Sequence, residues 1–227
     1  ESGRKPGTDI PVYRGNPLDL SFPLRALALR LVAWVEGERE PPPSRFPKVG
    51  DGTLVPPAGV ALPEIPGVQR PQVIHLAYRV DYGPRWWSEG IIDRQPPDLG
   101  VPFPSMVSQV DGLGNEVAGV RGWEIRSPLG TYAPWNLRWG AAGNEHELTD
   151  FRGTFIPLSR TEMERLELND PRPSVEALYG TQAVFLERVR AATRELVREG
   201  FLLPGDAPLA VELARAQWEW LMGLDFP

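Results

Sequence analysis

The sequence contains no cysteine and only two histidines, His75 and His146. Without cysteine there is no disulfide, no zinc-thiolate site and no thiol nucleophile. The two histidines lie far apart, and neither belongs to a His-x-x-x-His pair, the spacing that turns two imidazoles toward one metal ion. We therefore predict that the protein binds no metal.

The sequence also lacks an excess of positive charge and a long apolar run. Its 24 basic residues face 30 acidic ones, for a net charge of −6, which disfavours nucleic acid as a partner. No stretch approaches the roughly 18 consecutive apolar residues of a transmembrane helix, so we expect no membrane partner. The compartment stays open, because a chain without cysteine suits both the cytoplasm and export.

Motifs for nucleophilic catalysis and phosphate binding are missing as well. No serine lies in a Gly-x-Ser-x-Gly nucleophile elbow, which argues against a self-contained serine hydrolase. The glycine-rich segment GLGNEVAG (112–119) has the wrong spacing for a dinucleotide loop, and no Gly-Lys-Ser/Thr follows any glycine. We expect a tight turn at this segment and no cofactor.

The 227 residues, 41% of them apolar, are enough to bury a core, and 26 prolines and 23 glycines indicate many ordered loops. The first clear element is a helix within residues 16–37, followed by a proline-rich strap at 38–71. The apolar residues that recur at helical spacing, and that we expect to form the buried face of this helix, are Leu24, Leu27, Ala28, Leu31, Trp34 and Val35.

Strand patterns follow the strap. In QVIHLAYRVD (72–81) apolar residues alternate, which predicts a strand with Tyr78 and Val80 on a buried face and His75 on the other. Residues 103–110 and 116–120 flank DGLGNE and predict a hairpin. We expect a further strand at 123–132.

The last third is predicted to be helical. Ser174 is placed to cap a short helix that ends at Gly180, a longer helix should cover 181–199, and Asp206 should open a final one. The predicted apolar stripe of the long helix consists of Phe185, Val189, Ala192 and Leu196. Read alone, the chain is thus α+β, with a small antiparallel sheet, long proline-rich loops and C-terminal helices.

The segment YAPWNLRWG (132–140) is the best candidate for a binding surface. Large aromatic residues concentrate where one side is apolar and the other is wet. They line a ligand site in one interpretation and close a core or an interface in the other. The candidate substrate-binding residues are Tyr132, Trp135, Asn136, Arg138 and Trp139.

His146 is a sixth candidate, because it lies between Glu145 and Glu147, whose carboxylates favour its charged form. It is either a general base or substrate contact, or a solvated loop histidine. A different catalytic hypothesis uses two of the carboxylates Glu116, Glu124 and Asp150 as an acid and base pair, and a buried carboxylate with a raised pKa would favour it.

Five segments, in order, carry a family resemblance: RGNPLDLSFPLRALALRLVAWV, PPPSRFPKVGDGTLVP, VSQVDGLGNEVAGVR, PLGTYAPWNLR and NDPRPSVEALYG. Together they resemble the C-terminal part of the bacterial alpha/beta hydrolase domain family of uncharacterised, esterase-like proteins. Pro134 stands where that family commonly has glycine. The resemblance implies an α/β hydrolase-type fold and, as substrate, a small-molecule ester.

The resemblance also implies a division of the chain. Residues 1–37 would be the closing loop and last helix of a hydrolase core, 38–71 a strap, and 72–227 a family-specific extension with a small sheet at 72–140 and helices at 174–223. The nucleophile and the catalytic histidine would lie upstream, so this chain would carry no catalytic residue. Its partner would be the N-terminal hydrolase part of the same protein, and alone it should be poorly soluble.

Beside the carboxylate hypothesis, two functions remain from the sequence. The first is a C-terminal segment of a serine ester hydrolase, in which the aromatic segment forms a wall of the substrate pocket. The alternative is a non-catalytic ligand-binding or assembly module that uses its aromatic patch.

Overall fold

The computed structural model describes residues 11–72, 76–140, 146–149 and 153–223. The helices are α1 (Ser21–Val35), α2 (Trp86–Glu89), α3 (Trp123–Arg126), α4 (Glu162–Leu168), α5 (Val175–Tyr179), α6 (Gln182–Glu199) and α7 (Ala207–Met222). The strands are β1 (Leu54–Val55), β2 (Tyr78–Asp81), β3 (Asp98–Pro102), β4 (Val107–Ser108), β5 (Gly130–Ala133) and β6 (Thr154–Pro157).

The fold is α+β, and its strands form three separate antiparallel pairs, β1 with β4, β2 with β3 and β5 with β6. The single small sheet expected from the sequence is thus replaced, among the described residues, by three two-stranded ladders. In the strap, residues 38–71, the regular structure is limited to β1 and one 3-10 turn at Pro57–Gly59. The division into core, strap and extension stays a prediction.

Helices α6 and α7 form the centre of the main core, together with Trp123, Leu129 and Leu158. The Thr181 hydroxyl accepts from the Val184 N–H at the start of α6, and Gly200 ends the helix with a φ of +87°. The predicted stripe of α6 is confirmed, because all four of its residues are buried. Ser174 caps α5 as predicted, and its hydroxyl accepts from the Ala177 N–H.

The strand predicted at 123–132 is only partly correct. Residues 123–126 form the helical turn α3, closed by the Ile125 and Arg126 N–H groups on the Gly122 carbonyl, and the strand β5 begins at Gly130. Trp123 and Ile125, two positions apart, are both buried. This spacing is also that of a strand, and for this reason the sequence pattern predicted one where the backbone forms a helical turn. The partner strand β6 and the helix α4 were not predicted.

A buried ion pair joins the loop after α4 to the β5–β6 ladder. Arg172 is 2% exposed and donates to both carboxylate oxygens of Asp170, at 2.7 to 3.2 Å, and to the carbonyls of Ile156 and Pro157. It also donates to Thr131 Oγ1. The NDPRPS segment therefore fixes α5 on the ladder.

The predicted hairpin around DGLGNE is confirmed at its turn, where Val110 and Glu116 form a bridge and the Asp111 carboxylate accepts from the Leu113 and Asn115 N–H groups. Gly114 has a φ of +78°, and a Cβ there would lie 2.8 Å from the Thr131 side chain. Glycine is therefore required for the hairpin to approach β5.

The strand β2 does not have the buried face that its alternation predicted. Tyr78 and Val80 are 41% and 42% exposed, and every residue of β2 and β3 is exposed. The two strands pair only with each other, so neither face is covered within the described chain. Residues 73–75, with Ile74 and His75, lie outside the described residues.

The helix α1 is present where it was predicted, but a different face is buried. Phe22 and Ala26 are buried, whereas most of the predicted stripe faces away: Leu24 is 63%, Leu31 54% and Val35 78% exposed. Leu27 is the member of the stripe that packs partly against the core. Among the described residues, no surface covers the exposed part of this stripe.

Candidate functional site

The structure separates the six predicted site residues by depth. Tyr132 and Asn136 are fully buried, Trp135 and Arg138 are half-buried, and Trp139 and His146 are exposed. The aromatic segment is therefore not one flat exposed face. Its inner residues hold the backbone, and Trp135 reaches a cavity.

The Asn136 side chain bonds only to backbone groups. Its Oδ1 accepts from the N–H groups of Tyr13 (3.1 Å) and Leu137 (2.9 Å), and its Nδ2 donates to the carbonyls of Tyr13 (2.9 Å) and Gly153 (3.2 Å). These bonds join the backbone at Tyr13 to the segment that follows β5. Asn136 therefore positions the segment that carries Trp135.

Tyr132 is held between β6 and α7. Its ring packs on Phe155 with centroids 4.9 Å apart, and its hydroxyl accepts from Gln217 Nε2 at 2.8 Å. Burial raises the pKa of the Tyr132 hydroxyl, so the group stays neutral across the physiological range. Tyr132 also supports the segment from behind.

Trp135 borders a cavity of about 490 Å³ between the strap, the β4 region and the end of β5. Its indole meets the Tyr13 ring edge-on, with centroids 6.4 Å apart, which fixes its orientation. The cavity is within the usual size range of small-molecule sites, roughly 300 to 1,000 Å³. The lining residues are Pro57, Val60, Leu62, Arg70, Pro71, Ser105, Met106, Val107, Ser108, Val110, Gly114, Glu116, Ala133, Pro134, Trp135 and Leu148.

The polar groups of this cavity are few. Arg70 donates to the Leu62 carbonyl and, at 2.8 Å, to Glu64 Oε1, so its charge is already paired. Ser105 and Ser108 add hydroxyls, but among the described lining residues no histidine is present to activate them. The described lining of the cavity is thus suited to holding an apolar group of a ligand, and it contains no serine–histidine pair for nucleophilic attack.

Arg138, Trp139 and His146 do not line this cavity. The Arg138 N–H donates to the Glu147 carbonyl at 3.1 Å, and its guanidinium lies 3.9 Å from the Glu147 carboxylate. Trp139 is 45% exposed. Residues 141–145, which connect Trp139 to His146, are outside the described part of the chain.

The sequence reasoning missed the strap side of this cavity. Val60 and Leu62 line this cavity together with Trp135 because the strap runs past the β1–β4 pair, where the Ala61 N–H donates to Gln109 Oε1 at 2.8 Å. Their signal was available in VPPAGVALP (55–63), in which apolar residues alternate with prolines. A proline-rich segment that carries apolar side chains must cover some apolar surface.

The carboxylate of Glu124, on α3, is buried outside the cavity beside Trp135. Glu124 is 6% exposed, and burial raises its pKa to about 7, with a smaller contribution from the Asp19 carboxylate. Hydrogen bonds from Ser21 lower the pKa of Asp19 itself. The adjoining cavity measures only about 70 Å³, enough for water but not for a sugar or an ester. Glu124 is therefore a buried structural acid here.

The remaining carboxylates of that hypothesis do not join it. Glu116 lines the other cavity, beside Trp135, and Asp150 is outside the described residues. Within the described ranges, no group of three or more histidine, aspartate or glutamate side chains is arranged to hold a metal ion. The helices described in this chain are all too short or too polar to span a bilayer.

Comparison with known proteins gives one finding on family. Residues 3–212 match the model of a protein family described as "Alpha/beta hydrolase domain". No match was found among curated proteins or among solved structures.

Proposed function

Because the chain belongs to the alpha/beta hydrolase domain family, we propose that it is the C-terminal segment of a serine ester hydrolase. In such an enzyme a serine oxygen attacks the ester carbonyl, the alcohol leaves with a proton from histidine, and water releases the acid. The sequence contains no nucleophile elbow, so the proposal assigns serine and histidine to an upstream part of the protein. The family match is the observation that carries this proposal.

The exposed stripe of α1 supports a contact with such an upstream part. Leu24, Leu31 and Val35 lie on one side of α1, opposite Phe22 and Ala26. Helices of α/β proteins cover a sheet with their apolar face, and contiguous exposed apolar surface marks an interaction site. We therefore assign this face of α1 to the hydrolase core.

The cavity beside Trp135 is the proposed site for the acyl or alcohol group of the ester. Trp135 contacts that group, while Tyr132 and Asn136 are positioning residues that hold the Trp135 segment. Arg138, Trp139 and His146 are proposed as outer contacts of the same substrate.

The proposal is tested by ester hydrolysis with the protein that contains the upstream part. For p-nitrophenyl esters of increasing acyl length, Trp135→Ala should lower kcat/KM for the longer esters by about tenfold, as expected for a lost apolar contact of roughly 1.4 kcal/mol, and should change acetate hydrolysis little. The matched control is Trp87→Ala, since Trp87 is 93% exposed and does not line this cavity. Absence of hydrolysis with every ester would contradict the proposed function.

One observation favours the alternative, a non-catalytic binding or assembly module. The hairpin arm formed by β2, α2 and β3 exposes apolar side chains, among them Trp87 (93%), Val101 (80%) and Leu99 (67%). Two arginines of the arm are paired with its own carboxylates, Arg85 with Asp93 and Arg94 with Asp81 and Asp98. An arm of this kind needs a protein surface to cover it. A protein that binds through this arm but hydrolyses no ester would follow the alternative.

A further inference from the structure

A groove of about 550 Å³ runs between α1 and the end of α6, on the side of α1 that faces the core. Its floor is apolar and includes Ala26, Leu29 and Ala33. Three arginines stand at its edges: Arg30, Arg39 and Arg198. This groove is separate from the cavity beside Trp135.

The charge of the groove is of one sign. The described residues that line it include three arginines and no acid, in a chain whose net charge is −6. Arg198 is 73% exposed and 4.0 Å from Glu195. For the side chains of Arg30 and Arg39, the described residues provide neither an ion pair nor a hydrogen bond. Glu38 and Glu40 flank Arg39 in the sequence but do not line the groove.

The C-terminus of α6 explains only part of this arrangement. Arg30 packs over that turn, where its Nε would lie 3.4 Å from a Cβ at Gly200, and a cation there is favourable for the helix dipole. However, the N–H groups of Gly200, Phe201 and Leu202 already bond to the carbonyls of Leu196 and Val197. Because these carbonyls already accept hydrogen bonds, the guanidinium group of Arg30 is available to an external anion.

We propose that this groove binds an organic carboxylate with an apolar chain. The planar guanidinium groups of Arg30 and Arg39 match a carboxylate in shape and charge. The chain would lie along Ala26, Leu29 and Ala33, where the groove is apolar. The inference is independent of the ester hydrolase proposal, because it uses no residue of the Trp135 cavity.

Isothermal titration calorimetry of the intact protein with decanoate, below its micelle concentration and at low salt, tests the site. Arg30→Gln and Arg39→Gln should each weaken decanoate binding by about tenfold, the effect of losing one charge-assisted hydrogen bond. Arg190→Gln, which removes the same charge from an exposed position of α6, should leave the affinity unchanged within twofold. Both groove arginines are partly or fully exposed, so the variants should fold.

Two further probes define the ligand class. Inorganic phosphate should bind at least tenfold more weakly than decanoate if the apolar floor contributes, and Trp135→Ala should leave decanoate binding intact. The proposal is overturned if Arg30→Gln and Arg39→Gln bind decanoate like the wild type, or if Arg190→Gln weakens it equally. Phosphate binding as tight as decanoate would overturn the assignment of an apolar ligand.

Discussion

At the scale of single residues, the buried polar groups are of two kinds. Some have hydrogen-bond partners, whereas others are buried at a cost in free energy. Asn136 has four backbone partners within 3.3 Å, so its burial is stabilising. Glu124 lies among apolar side chains, with the Asp19 carboxylate and the buried Tyr132 hydroxyl as its titratable neighbours. Burial in the folded protein therefore disfavours the ionised form of the Glu124 carboxyl group.

The pH dependence of stability should report this opposition. Because burial raises the pKa of Glu124 from 4.5 to about 7, the folded state holds its proton more tightly than the unfolded state. The free energy of unfolding should therefore fall between pH 4.5 and pH 7, by up to about 3 kcal/mol from this one group. Glu124→Gln should remove that loss and be more stable than wild type at pH 8.

Urea denaturation of both proteins at pH 5, 6, 7 and 8 measures the effect. Glu167→Gln is the matched control, since Glu167 is exposed on α4 and its replacement should leave the pH profile unchanged. A Glu124→Gln variant that keeps the wild-type profile would mean that Glu124 does not titrate in this range.

At the scale of elements, the sequence predicted those segments whose neighbours are local. The stripe of α6 and the cap at Ser174 were accessible because spacing and capping chemistry act within a few residues. The ladder of β5 with β6 was not, because Gly130 pairs with Pro157 across a long connection. The helical turn at Trp123 was predicted as a strand because its two buried apolar residues, Trp123 and Ile125, have the spacing of one face of a strand.

The candidate site divides in the same way. The sequence identified Trp135 by composition, but the cavity that Trp135 shares with Val60 and Leu62 depends on how the strap runs past β4. Equally, Tyr132 and Asn136 looked like ligand contacts, and only the bonds of their side chains to Gln217 and the Tyr13 backbone assign them to support. Tertiary pairing of this kind leaves no periodic signal.

The helix α1 offers a prediction at this scale. The double variant Leu24→Ser with Leu31→Ser should make the isolated chain more soluble and change its free energy of unfolding by less than about 1 kcal/mol, because both side chains are mostly exposed. The control Phe22→Ser removes a side chain that is only 4% exposed and should cost about 3 kcal/mol or more. Sedimentation and urea denaturation distinguish the two faces; equal destabilisation by both variants would contradict the assignment.

At the scale of the whole molecule, the described chain has one helical core and two apolar surfaces without cover, the α1 stripe and the β2–β3 arm. The cavity beside Trp135 holds few polar groups and, among its described lining residues, no histidine. The chain belongs to the alpha/beta hydrolase domain family, and this membership supports our proposal that catalysis uses residues from elsewhere in the protein.

Labelling with a fluorophosphonate probe, which modifies activated serines, tests this account most directly. The protein with its proposed upstream part would be labelled, digested and mapped by mass spectrometry. We predict one modified serine, upstream of Glu1, with residues 1–227 unmodified. A label on any serine within residues 1–227 would contradict the account, because this chain would then contain its own nucleophile.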